Sequence, residues 1–341
     1  MQKKKPFNET VFLLKITITL FFVMYVIGMI VFRAKGFTHF QTFLNLFISN
    51  ASLIVIAAGM TLVMLTGGID ISVGSCVAMY CMMLAYMMER QGVGAIGAVS
   101  IVLVTGLAFG LVQGFLVSYL KIQPFIVTLA GMFFARGMTA IISVDMISIM
   151  NKRFLSWAQH KMYLPFGGYL SRKGVLIKPF IYPTVIIALI TLVLIAFMLR
   201  YSRFGRRVYA IGGSEQSSLL MGLNVRRTRL FAYILEGFLT AIGGILFCLN
   251  TCSGFVEQAR GYEMEAIAGA VIGGTLLTGG VGNVFGSLFG VLIKGTIETF
   301  ITFQGTLSSW WTKITIAALL AFFIILQSLL SNTKFRGRGQ A

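Results

Sequence analysis

Long apolar stretches broken by short polar ones set the pattern of this chain. A bilayer crossing takes about 20 apolar residues. Stretches of that order run over 11–32, 43–65, 69–88, 93–120, 122–143, 181–199, 229–250, 264–280, 284–303 and 312–330, with the third, eighth and ninth the weakest. They predict an all-α integral membrane protein, a polytopic helical bundle of about ten transmembrane segments. Little chain is left for a soluble unit, so 1–341 reads as a single transmembrane domain. The longest polar interruptions are 145–180 and 200–228. The first apolar stretch, Val11 to Phe32, follows Lys3, Lys4 and Lys5 and lacks a small-residue cleavage site, which predicts an uncleaved first span.

An echo runs through the pattern. Thr66-Gly67-Gly68 followed by Gly74-Ser75 returns, at the same spacing, as Thr278-Gly279-Gly280 followed by Gly286-Ser287. Repeated halves with Gly-interrupted spans are common in transporters, and such breaks often sit at the substrate path. The span count gives both copies the same orientation. Two further glycine series, Gly106-Gly110-Gly114 and Gly282-Gly286-Gly290, recur every fourth residue. Each makes a smooth stripe that admits a neighbouring helix, a packing role.

Composition agrees with the pattern. The 341 residues are 57% hydrophobic and only 11% charged, too apolar for a soluble enzyme and too rich in Phe, Ile and Leu for a disordered tail. The net charge of +18 is read as topology before nucleic-acid affinity. Lys3 to Lys5, the Arg-rich 200–228 loop and the tail residues Lys334, Arg336 and Arg338 all fall on one side with ten spans, which places both termini in the cytoplasm. The 145–180 loop then lies outside, yet holds Lys152, Arg153, Lys161, Arg172, Lys173 and Lys178. Either a span is miscounted or this is a basic surface for an acidic partner.

Candidate chemistry is sparse. Cys76, Cys81, Cys248 and Cys252 form no CxxC pair, and His39 and His160 are too few for a metal site, so no metal or catalytic residues are predicted. No P-loop is present with which to bind ATP. Ionisable groups inside spans are expensive and are functional candidates by default: Asp70, Arg136, Glu236, and the pair Lys294 and Glu298, four apart on one helix face. Asp70 also fits a capping role at a helix starting near Ile71. Trp310 and Trp311 suit either the interfacial belt or a stacking surface for a sugar ring. In the 200–228 loop, Ser214 can cap a short helix over 215–221 that Gly222 ends, with Leu219-Leu220-Met221 as an apolar tip between Arg clusters. That suits docking into a partner's groove, or a lipid-headgroup anchor.

Four ordered blocks resemble the permease subunits of ABC sugar importers, the ribose, galactose and autoinducer-2 branch. They are Gly59-Met60-Thr61 through LTGGIDISVGS to Ser75, IQPFIVTLAGMFFARG from Ile122 to Gly137, FGRRVYAIGGSEQSSLLMGLNV from Phe204 to Val225, and GYEMEAIAGAVIGGTLLTGGVGNVFGSLFG from Gly261 to Gly290. Within the branch, GTLSSWWTKI from Gly305 to Ile314 is most similar to galactofuranose permeases. The family often reads ELDAIA where this chain has Glu263-Met264-Glu265-Ala266-Ile267-Ala268, a carboxylate extended by one methylene.

The resemblance implies a permease domain in a bacterial inner membrane that binds no cofactor and is not itself an enzyme. A second permease, identical or not, would complete the pore. A separate ATP-binding subunit would use ATP, and a soluble sugar-binding protein would deliver a monosaccharide. It implies ATPase coupling through Gly205, Arg206, Gly212, Gly213, Ser214, Glu215, Met221 and Gly222, and binding-protein docking at Lys152, Arg153, Lys161, Arg172 and Lys173. The residues expected along the translocation path are Gly67, Gly68, Asp70, Ser72, Arg136, Gly279, Gly280, Asn283, Trp310 and Trp311. The main rival is an ion-coupled secondary transporter of a small polar solute, with Asp70, Arg136 and Glu236 as relay members.

Overall fold

The computed structural model describes residues 9–170, 176–306, 308 and 310–338. Ordered along the chain are α1 (Glu9–Val31), α2 (Phe40–Leu65), α3 (Val73–Glu89), α4 (Ala95–Ser118), α5 (Pro124–Ile142), α6 (Lys152–Gln159), α7 (Pro183–Tyr201), α8 (Arg203–Gly213), α9 (Glu215–Leu220), α10 (Val225–Thr251), α11 (Tyr262–Ile272), α12 (Val284–Gln304) and α13 (Trp310–Arg338). Among the described residues eight helices are long and apolar enough to cross a membrane: α1, α2, α4, α5, α7, α10, α12 and α13. Local chemistry sets their ends. Pro124 and Pro183 open α5 and α7, where a missing N–H costs nothing. Asn224 and Asn283 cap α10 and α12 through their side chains. Gly305, at a φ of +78°, closes α12.

The ten apolar stretches each meet a helix, but two are short. The third begins only at Val73, because Thr66 to Ser72 leave the helical path, with Gly67 at a φ of +78°. The eighth, expected over 264–280, is helical only to Ile272. Its 11 residues rise about 16 Å, roughly half of the hydrocarbon core. Gly274, at a φ of +90°, turns the chain, and 275–283 continue without regular structure. Irregular backbone is tolerated at membrane depth only inside protein or along a water-filled cavity, and Gly273, Gly274 and Thr275 are buried.

α2 stands at the centre. It is buried on every side from Asn50 to Leu65, as expected of a helix apolar all round. Around it pack α10, α12, α7 and α11, with α4 behind α10. Both glycine stripes pack helices. A side chain on Gly106 or Gly110 would enter the α10 backbone at Gly237 or Tyr233, and one on Gly286 or Gly290 would enter that of Gly273 or Gly269.

The bundle has two distinct ends. One carries α8 and α9. The other carries α6 and three short antiparallel strand pairs, Ile147–Ser148 with Ser253–Gly254, Met162–Tyr163 with Phe180–Ile181, and Tyr169–Leu170 with Leu176–Ile177. Glu89 accepts the Met150 and Asn151 N–H groups there, at 2.9 and 3.0 Å, and so ties α3 to the start of α6.

Candidate functional site

At the α8–α9 end, three Gly-Gly pairs meet backbone to backbone. The Gly280 N–H donates to the Leu65 carbonyl at 3.0 Å, which joins the α11–α12 break to the end of α2. Gly212, in the last turn of α8, lies against Leu65 O and Gly280 N so closely that a Cβ there would overlap both. A Cβ on Gly279 would stand 2.8 Å from Gly67 N and 3.1 Å from the Gly212 Cα. Only glycine allows this approach, and Gly67, Gly279 and Gly280 also have positive φ. The Tyr209 hydroxyl adds a bond to the Gly282 carbonyl at 3.1 Å. The two copies of the echo therefore face the same end and touch each other there. Higher up, the Thr61 and Ser287 hydroxyls pair at 2.5 Å.

α9 projects from this junction. Ser202 caps α8 through the Gly205 N–H at 3.0 Å, and Gly205 fits tightly over the Leu199 backbone, so α8 turns sharply off α7. A side chain on Gly213 would instead enter open space. Ser214 then caps α9 by accepting the Ser217 N–H at 3.2 Å, and Gly222, at a φ of +74°, ends the turn. Glu215 pairs with Arg229 of α10 at 2.7 Å, which fixes the angle of α9. The tip is bare: Leu220 is 86% exposed and Met221 66%. Arg206 donates to the Tyr201 carbonyl at 3.3 Å.

A second group is buried in the bundle. Asp70 accepts the Ser72 N–H at 2.8 Å and the Ser72 hydroxyl at 2.6 Å, just ahead of α3. The Gln113 amide donates to the Ser72 hydroxyl at 3.0 Å, and the Asp70 carboxyl lies beside that of Glu236 from α10. Thr240 donates to Glu236 at 2.7 Å. This network ties the first Gly-Gly break to α4 and α10. A Cβ on Gly68 would lie 2.6 Å from the Tyr233 hydroxyl, so the break sits directly on it.

At the opposite end a cleft of about 910 Å³ opens between α2, α12 and the start of α13. Asn45, Ser49 and Asn50 line one wall, Glu298, Thr299 and Thr302 the other, and Trp310 and Lys313 the rim. Below it Lys294 bridges two carboxylates, Glu298 at 2.7 Å and Glu265 at 3.0 Å. The i,i+4 pair is visible in the sequence. Its third member is not, because Glu265 comes from α11; the extra methylene of Glu over Asp lies in the side chain that reaches Lys294. Asn45 and Thr299 carry no sequence signal beyond being polar within apolar stretches.

The residues expected along one path thus fall in four places. Gly67, Gly68, Gly279 and Gly280 lie at or beside the glycine junction, and Asn283 caps α12 beside it by accepting the Phe285 N–H at 2.9 Å. Asp70 and Ser72 lie in the buried network. Arg136 faces the opposite end, where it donates to the Val256 carbonyl and, at 3.0 Å, to that of Gln258, and so pins the loop after α10. Trp310 borders the cleft, while Trp311 is half exposed and stands outside its lining. Lys152 and Arg153 are exposed on the first turn of α6, and Lys161 stands 4.6 Å over the Phe180 ring. Arg172 and Lys173 lie outside the described residues.

Residues 42–324 match the model of the family described as branched-chain amino acid transport system / permease component. The inner membrane ABC transporter permease protein YjfF of Escherichia coli K12 is 44% identical over 92% of this chain and 91% of that protein. The fructose import permease protein FruG of Bifidobacterium longum is 36% identical over 91% of this chain and 88% of its own, and the ribose import permease protein RbsC of E. coli K12 is 35% identical over 82% of each. No solved structure matches the chain. A helical bundle with two Gly-Gly breaks meeting under a projecting helix, matched over most of its length by these relatives, belongs to that family of ABC transporter permease components.

Proposed function

We propose that this chain is the membrane-spanning permease subunit of an ATP-driven sugar importer, and that galactofuranose is its first candidate sugar. The observation that carries the coupling part is the α9 tip. Leu219, Leu220 and Met221 are 55%, 86% and 66% exposed on a capped helix. A small apolar knob of this kind suits a groove on a partner protein. The partner would be the ATP-binding subunit, which also hydrolyses the ATP, since this chain has no P-loop. Movement of α9 would pass through α8 into Gly212, and from there into both Gly-Gly breaks at once, because Gly212 touches Leu65 and Gly280.

The sugar class rests on relatives named for fructose and ribose import, and on one named for galactose and methyl galactoside import. Galactofuranose rests on the likeness of Gly305 to Ile314. A second permease and a binding protein complete the proposed importer, with Lys152, Arg153, Lys161, Arg172 and Lys173 toward the binding protein. In this reading both termini and α8–α9 face the cytoplasm, in line with the Arg excess of 200–228.

Co-purification tests the coupling part. The permease is expected to retain its ATP-binding subunit in detergent, and Leu220→Asp is expected to lose it while eluting as a folded protein. Retention of the subunit by Leu220→Asp at the wild-type level would refute docking at α9.

A further inference from the structure

We infer that the polar cleft between α2, α12 and α13 is where an uncharged monosaccharide rests inside the permease, held between the Trp310 ring and the carboxylates anchored on Lys294. The inference rests on the sugar-import reading above and adds to it a place and a chemistry.

The cleft's size is the first reason. At about 910 Å³ it lies within the roughly 300–1,000 Å³ usual for small-molecule sites. A monosaccharide enters it with room for water. Its lining is the second reason. Amides and hydroxyls from Asn45, Ser49 and Thr299 line it in a chain whose spans are mostly apolar. Polar groups within a membrane bundle mark solute sites or pathways.

Charge is the third reason. Glu265 and Glu298 stand against Lys294 and Lys313, two of each sign, so the site favours neither an anion nor a cation. Lys294 engages Oε2 of Glu265 and Oε1 of Glu298. Each carboxylate has a second oxygen, and a carboxylate is an acceptor that takes sugar hydroxyls. Trp310, 67% exposed at the rim, offers an aromatic face to the C–H side of a sugar ring. Its neighbour Lys313 stands over one face of the ring, 4.6 Å from the centroid, so a sugar would take the other face.

The position also fits. The cleft opens at the end opposite α9, so a solute there lies across the bundle from the coupling junction. α12 runs from one to the other: Asn283 caps it at the junction, while Glu298 and Thr302 line the cleft.

The test uses the assembled importer in proteoliposomes, with ribose, fructose, galactose and galactofuranose as separate probes. Uptake of the preferred sugar is expected to fall about tenfold or more in Trp310→Ala and in Glu298→Gln, with ATP hydrolysis kept within about twofold of wild type. Because Glu298→Gln removes one anchor of Lys294, a second measurement leaves the ion pairs intact. Thr302→Cys, made with Cys252→Ser, places an accessible thiol on the cleft wall, and its rate of maleimide labelling is read with and without solute. The transported sugar is expected to slow labelling at least about fivefold, and equimolar glutamate or lysine is not. Uptake within twofold of wild type in both variants, or labelling that no sugar slows, would overturn the inference. Protection by glutamate or lysine instead would overturn the uncharged ligand. Sugar protection without ATP-driven uptake would keep the cleft as a sugar site and remove the import reading.

Discussion

Gly212 and Gly213 are neighbours with opposite physical constraints. A side chain at Gly212 overlaps the Leu65 carbonyl and the Gly280 amide, both backbone and unable to step aside. Gly212→Val is therefore expected to destabilise the permease by about 1–3 kcal/mol, the usual cost of overpacking, and to lower the thermal midpoint in detergent. Gly213 has nothing within 4 Å of an added Cβ. Gly213→Leu is expected to leave the midpoint unchanged and still uncouple ATP hydrolysis from uptake, because Gly213 is exposed beside α9, the helix proposed to dock. A midpoint for Gly213→Leu as low as that of Gly212→Val would show that the open space is not there. Lys294 makes the same kind of argument in charge. Held between Glu265 and Glu298 and itself only 8% exposed, it cannot be removed without leaving two neighbouring carboxylates to face each other with no cation between them. Lys294→Met is expected to cost about 1–3 kcal/mol; a thermal midpoint equal to wild type would contradict the ion-pair geometry.

Among the elements, α9 is the one most open to direct test. The Glu215–Arg229 pair that sets its angle is partly exposed, and such pairs contribute at most about 1 kcal/mol. Glu215→Gln should hence leave the fold intact and impair coupled uptake, read as ATP hydrolysis that persists while transport falls. Uptake at the wild-type level would show that the angle of α9 does not matter. This helix was legible in the sequence down to its cap, because Ser214 and Gly222 are local signals that tertiary contacts did not override. The glycine stripes were equally legible, since their spacing alone states the packing. α11 was not. An apolar stretch of 17 residues reads as a span, and only the turn at Gly274 and the close approach of Gly273 to Gly286 explain why the helix stops at Ile272. The cleft was half legible for the same reason: Lys294 and Glu298 announce themselves at i,i+4, whereas Glu265 and Asn45 arrive through the packing of α11 and α2. The path residues were grouped in sequence by their cost inside a membrane. That cost says a residue has a reason to be there, but not whether the reason is a network, a loop anchor or a solute.

The whole molecule divides into a cleft at one end, a glycine junction at the other, and a buried carboxylate network between. The +18 charge divides with it, part in the Arg-rich segment around α8 and α9, part in the exposed basic residues of α6 and its surroundings. Asp70 and Glu236, side by side in the bundle, are the groups an ion-coupled transporter would use, and the glycine junction under α9 is what an ATP-coupled one would use. Energy dependence separates the two. The deciding measurement is uptake of radiolabelled sugar by right-side-out vesicles carrying the complete importer, with ATP supplied inside or removed and the proton gradient kept or collapsed by an uncoupler. The expected result is uptake that requires ATP and persists when the gradient is gone. Uptake that continues after ATP depletion and collapses with the gradient would contradict it.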